Sequence, residues 1–202
     1  MNYTELSLEE LRKISINAAE KIAEKEKIDL IIYVAKAGFP IALYMNEVFQ
    51  VQLLGIRAQR KGNTIKNFVG PVLAHMPRLV RDILISIELK SKVHRVDVGR
   101  KVEFHAGINN LDIDSFNNIL IVDDSVDTGN SAIAVLRAVK NKFSDAKIFF
   151  YSLNVWDESK ELVEVDFSTY RNTVIKTPMS KDSKEYTDFS TLYERESKHG
   201  YV

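Results

Sequence analysis

Residues 118–134 read NILIVDDSVDTGNSAIA. The four aliphatic residues Ile119, Leu120, Ile121 and Val122 are too few for a helix and favour β structure, as expected of a strand buried on both faces within a parallel sheet. At the end of that strand come Asp123 and Asp124, then Asp127, Thr128, Gly129, Asn130 and Ser131. Ile133, Leu136, Val139 and Lys140 follow as an amphipathic run that predicts a helix. The order is strand, acidic turn, helix start.

That order has chemical meaning. Backbone N–H groups at a helix start, with small hydroxyl and glycine residues beside them, hold a phosphate group, and Thr128, Gly129, Asn130 and Ser131 suit that task. Three carboxylates next to a phosphate would repel it, so they need another partner: sugar hydroxyls, a divalent cation or a proton to be moved. A phosphorylated sugar satisfies both halves. Competing motifs fit less well. A Walker-type loop requires Gly, four residues and then Gly-Lys-Ser/Thr, and no Lys follows Gly129. A Rossmann fingerprint needs three spaced glycines and this stretch has one. Phosphatase chemistry of the Asp-x-Asp kind needs acids two apart, whereas Asp123 and Asp124 are adjacent. A merely solvated acidic loop does not account for the agreement between residue identities and strand–turn–helix context.

IVDDSVDTGNS closely resembles the phosphoribosyl-pyrophosphate (PRPP) signature of type I phosphoribosyltransferases: four apolar residues, two acids, a short variable spacer, Asp, Thr-Gly, any residue, then Ser or Thr. Every position matches. The resemblance implies an α/β fold with a five-stranded, mostly parallel sheet flanked by helices, spanning 1–202 as one domain with a small hood at about 155–186. It also implies displacement of pyrophosphate from C1 of PRPP by a nitrogen nucleophile, a purine-type nucleobase as in purine salvage, through an oxocarbenium-like state. Asp123 and Asp124 would engage the ribose hydroxyls, with Mg2+ held largely through substrate oxygens. Asp127 would be the general acid/base, and Thr128, Gly129, Asn130 and Ser131 would hold the 5′-phosphate.

Ser7 and Glu10 form a capping-box pattern ahead of Leu11, Ile14, Ala18 and Ile22, which predicts a first helix over 8–26. IDLIIYV at 28–34 is a second buried strand. It ends in Lys36-Ala37-Gly38 before a helix predicted at 40–49, a turn with small residues and one cation that would suit a leaving pyrophosphate. It resembles the family's pyrophosphate loop, in which a cis peptide can occur, with one glycine replaced by alanine. VQLLGIRAQ at 51–59 predicts a third strand, and a basic loop follows at 61–67; Arg57, Arg60, Lys61 and Lys66 are candidate phosphate ligands. Between 68 and 100 the sequence departs from the family core. Pro77 and the stripe Leu79, Ile83, Leu84 and Ile87 predict an inserted helix at 77–92 that could shield the site or form a dimer contact.

Strand candidates recur at 102–104, 146–155, 162–167 and 172–177, with a closing helix at 187–197. In the family the segment after the fifth strand recognises the base. Candidate base-binding residues are Asn154, standing where oxopurine enzymes carry Lys, together with Lys176 and Met179 in TVIKTPMSKDS; Pro178-Met179 resembles an apolar clamp. Trp156 is read as packing. His75, His94, His105 and His199 show no metal-ligand spacing.

Lysine plus arginine and aspartate plus glutamate both number 28, so bulk charge does not point to nucleic acid. The absence of cysteine excludes disulfides and thiolate chemistry. No apolar run approaches the roughly 18 residues of a membrane span, and the acidic start is not a signal sequence. A cytoplasmic homodimer or higher homo-oligomer acting on PRPP and a nucleobase is the expectation. Two alternatives stay open: a PRPP- or nucleotide-sensing regulator on the same fold, and phosphoribosyl transfer to a non-purine acceptor in a specialised pathway.

Overall fold

Side chains alternate across a strand, so a strand covered on both faces needs apolar residues at every position. In the second strand, Ile31 and Tyr33 enter one hydrophobic cluster while Leu30, Ile32 and Val34 enter another on the opposite face. The signature strand divides in the same way, with Leu120 and Val122 on one side and Ile119 and Ile121 on the other. This arrangement explains the unbroken aliphatic runs. The structure, a computed structural model, describes residues 2–59 and 100–197.

The chain divides into two compact units, 1–58 with 102–202, and 59–101. The inserted helix expected at 77–92, the basic loop at 61–67, Arg60, and His75, His94 and His199 lie outside the described residues. The strands are β1 (Asn2–Glu5), β2 (Leu30–Val34), β3 (Gln52–Gln59), β4 (Lys101–Phe104), β5 (Asn118–Val126), β6 (Lys147–Val155), β7 (Phe167–Arg171) and β8 (Thr173–Lys176). The helices are α1 (Leu8–Ala23), α2 (Gly38–Phe49), α3 (Asn130–Lys142) and α4 (Tyr186–Ser197).

The main sheet has six strands rather than the expected five, in the order β4-β3-β2-β5-β6-β7, because both flanking strands join it. The β2–β3, β2–β5, β5–β6 and β6–β7 pairings are all parallel. A separate pair, β1 with β8, is also parallel; β8 falls within the strand expected at 172–177, and β1 has no counterpart in the sequence reading. The strand expected at 162–167 forms instead at Phe167–Arg171: the amides of Leu162 and Val163 fold back onto the Ser159 carbonyl, and Val163 turns into the core. Helix α1 ends at Ala23, short of the expected 26, while its capping box forms as predicted.

From β2 the chain proceeds to β3 on one side, and β5 lies on the other. The loops leaving β2 and β5 therefore emerge together at one end of the sheet, where strand order reverses and open α/β sheets bind their ligands. At the opposite end the Asp29 carboxylate accepts the backbone N–H groups of Asn117 and Asn118, at 3.1 and 3.0 Å, and fixes the start of β5 beside β2.

Candidate active site

The signature strand continues past Val122. Asp123, Ser125 and Val126 stay in register with Ser152, Asn154 and Val155 of β6, so the first two acids project from a strand rather than a turn. Asp123 is only 6% exposed, and its carboxylate accepts the Asp124 backbone N–H at 2.9 Å. Burial first, and the adjacent Asp124 charge second, push Asp123 well above the ordinary carboxylate range; burial raises Asp124 too. Such a pair gains most from a proton, a cation or a set of hydroxyl donors. Among the described residues no cluster of three or more His, Cys, Asp or Glu is placed to hold a metal. Two adjacent carboxylates without a cage suit a Mg2+ that takes most of its ligands from substrate and water.

Beyond the strand, the Ser125 hydroxyl donates to Asp127 Oδ1 at 2.5 Å and the Asn130 amide donates to Thr128 Oγ1 at 3.1 Å. Gly129 has φ +78°, and a Cβ there would lie 3.1 Å from Val163 Cγ1 and 3.2 Å from the Ser159 carbonyl oxygen, so both conformation and space require glycine. Helix α3 starts at this glycine and α2 starts at Ala37, and neither start has a side-chain cap. By contrast α1, away from the crevice, is closed by Ser7 and Glu10. Two helix starts without a side-chain cap suit anionic ligands.

The Ala35–Lys36 peptide is cis. Gly38 lets α2 press against the signature strand: a Cβ there would lie 2.6 Å from the Val122 carbonyl oxygen.

Two small cavities meet at this end of the sheet. One, of about 240 Å³, brings Lys36 and Ala37 together with Asp123, Asp124 and Ser131. The other, of about 200 Å³, is walled by Asn154, Trp156, Ile175 and Thr177 and shares Asp124 and Ser125 with the first. Asp127, exposed, lines neither and is joined to both through Ser125. Asn154 lies in the second wall with its carboxamide bonded to the Thr173 backbone, donating to the carbonyl at 2.9 Å. Lys176 faces Glu5 and Asp182 at 3.5 and 3.7 Å, and Met179 packs on the core; neither lines the cavity.

Trp156, read from sequence as packing, stands in the cavity wall. Asn172 holds the segment there, accepting the Asp157 backbone N–H and donating to its carboxylate at 2.9 and 2.6 Å. Ser125 falls in the variable spacer of the signature and carried no signal of its own. A larger groove of about 690 Å³ between α1 and β7 holds none of the predicted site residues.

Residues 4–175 match the family profile described as phosphoribosyl transferase domain. Among solved structures, a purine phosphoribosyltransferase from Pyrococcus horikoshii is 19% identical, with 91% of this chain and 97% of that one covered at a TM-score of 0.60. The xanthine-guanine-hypoxanthine phosphoribosyltransferase of Helicobacter pylori is 18% identical over 93% and 99% of the two chains, also at 0.60. A hypothetical protein from Neisseria gonorrhoeae with bound ppGpp is 14% identical over 96% and 97%, at 0.59. At these identities the likeness is one of fold. No curated protein sequence matches the chain. No helix among the described residues is long and apolar enough to cross a membrane. With the signature and the profile in agreement over most of its length, the chain belongs to the phosphoribosyl transferase domain family and is, at that level, a pentosyltransferase.

Proposed function

We propose that this protein transfers the 5-phosphoribosyl group of PRPP to a nitrogen of a nucleobase, of purine type, and releases pyrophosphate. The observation that carries the reading is the shared wall at Asp124 and Ser125: a cavity with both acids and a lysine on one side, and on the other a cavity with an indole and no cation. A donor and an acceptor bound in these two spaces would meet at that wall.

On this reading Thr128, Gly129, Asn130 and Ser131 hold the 5′-phosphate at the open start of α3, and Lys36, Ala37 and Gly38 receive the pyrophosphate at the open start of α2. Asp123 and Asp124 accept hydrogen bonds from the ribose hydroxyls, and their charge favours the cationic sugar as the C1–O bond to pyrophosphate breaks. The new bond forms from the base nitrogen to C1. The proton released from that nitrogen passes to Asp127, oriented by the Ser125 hydroxyl. Mg2+, when bound beside Asp123 and Asp124, offsets the charge of the pyrophosphate oxygens. The acceptor packs beside Trp156 and Ile175, in a cavity whose lining carries no lysine or arginine; an uncharged base edge suits such walls.

The test is pyrophosphate release from PRPP and Mg2+ across a panel of purine and non-purine bases. Turnover with a purine is the expected result. Turnover with a non-purine alone would overturn the acceptor assignment. No turnover with any base, while PRPP raises the melting temperature, would replace the enzyme reading by a PRPP-sensing one.

A further inference from the structure

The pyrophosphate end of the site contains an aromatic residue far away in sequence. Tyr193 of α4 is 8% exposed, yet its ring carries the Lys36 ammonium at 5.0 Å from the centroid, and Arg57, near the end of β3, lines the same small cavity as the Tyr193 side chain. The ring is itself held firmly. Phe39, in the first turn of α2, meets it edge-on at 5.3 Å and 89°, Phe189 lies 6.1 Å away, and Phe39 in turn rests edge-on against Tyr33 at 5.3 Å. Phe189 anchors α4 in the core, and Glu185, just before the helix, accepts the Leu8 backbone N–H at the start of α1. The ring is therefore a fixed object, while Lys36 and Arg57 are exposed and long.

The choice of partner matters. A carboxylate would hold either cation more tightly but would neutralise it, and a pyrophosphate would have to displace it. A ring face attracts an ammonium through its quadrupole and a phenol oxygen accepts from a guanidinium, both without cancelling the charge. Among the described residues, neither Lys36 nor Arg57 has a carboxylate partner. One side chain thus stands beside two full positive charges, the Lys36 ammonium from β2's turn over its ring and Arg57 of β3 in the cavity that it lines.

We propose that Tyr193 is a positioning residue that presets Lys36 and Arg57 for the pyrophosphate of PRPP, acting on the reaction through these two cations. The inference rests on the proposed transferase reading, but its test has a readout that does not. Inorganic pyrophosphate binding, measured by calorimetry on the full chain, is expected to weaken roughly tenfold in Tyr193→Leu, which loses ring and hydroxyl, and about threefold in Tyr193→Phe, which keeps the ring under Lys36. In steady state the KM for PRPP should rise in the same order, while the KM for the nucleobase stays within about twofold. In a Lys36→Ala background Tyr193→Phe should still weaken binding through Arg57, and in an Arg57→Ala background it should have no effect.

Equal losses in the PRPP and base constants, or a Tyr193→Phe effect that persists without Arg57, would make Tyr193 an ordinary core residue and overturn the proposal. Where Tyr193→Leu does not fold, the Tyr193→Phe and Arg57→Ala cycle decides alone. A wild-type protein that turns over no base but binds pyrophosphate in the predicted order sinks the transferase reading and leaves the positioning role standing.

Discussion

The two ends of the site proposed to bind anions are built in opposite ways. The proposed sugar-phosphate end is one continuous piece of chain, from Asp123 to Ser131, in which strand, acids, glycine and helix start follow one another. The proposed pyrophosphate end draws Lys36 from the turn after β2, Arg57 from β3 and Tyr193 from α4, three places with no shared local pattern. Covalent continuity makes the first rigid through backbone geometry. The second depends on the aromatic packing of Tyr33, Phe39, Phe189 and Tyr193. Damage to the first end should therefore be local and severe, and damage to the second graded.

The most severe loss is expected at Asp127. Asp127→Asn removes the proposed proton acceptor and should lower kcat by about 10²–10⁴-fold with little change in PRPP affinity, as read by steady-state kinetics beside calorimetric binding. A loss of affinity without loss of rate would move the residue from chemistry to binding.

Next comes Gly129→Ala, which adds a methyl group at φ +78° against Val163 and the Ser159 carbonyl. Its cost should be about 1–3 kcal/mol of stability, and denaturant unfolding together with PRPP binding checks whether the phosphate turn is disturbed as well.

A third prediction concerns pH. Because Asp123 is raised, the folded protein holds its proton at pH values where the unfolded chain has released it, so the contribution of Asp123 to stability is greatest at low pH and declines as pH rises from the ordinary aspartate range through the raised one. Asp123→Asn should flatten that decline and raise the melting temperature of the ligand-free protein at neutral pH, while weakening its response to PRPP with Mg2+. Melting curves of both proteins across pH, with and without PRPP and Mg2+, test this. An unchanged slope in the variant would remove Asp123 as its source.

The smallest effect is the control at the capped helix. Ser7→Ala in α1 removes a capping-box oxygen and should cost about 0.5–2 kcal/mol, with PRPP binding unaltered when measured below the melting transition. A change in binding would show that the open starts of α2 and α3 are not the only helix ends that matter to ligand.

The same contrast explains what the sequence could reveal. Periodicity and local chemistry were enough for β2, β3, β5 and β6, for the capping box at Ser7 and Glu10, and for the loops that meet beyond the sheet, because each is written within a few adjacent residues. Strand β1 was missed: NYTE shows no apolar alternation and exists as a strand only because β8 pairs with it. Strand β7 was misplaced because Val163, which looks like a strand residue, is used to wall in Gly129. Trp156 was read as packing since its setting depends on Asn172, the residue that joins β7 to β8. Tyr193 has neighbours at positions 36 and 57, separations at which no spacing rule operates.

The near-contact between Gly38 and the Val122 carbonyl oxygen bears on inhibitor design. Helix α2 cannot approach the signature strand more closely, and any larger residue would force it away, so the span between the two proposed phosphate seats is gauged by main-chain contact rather than by adjustable side chains. A compound bearing two anionic heads on a stiff tether would then find a slot of set length, and affinity should depend sharply on the number of atoms between the heads.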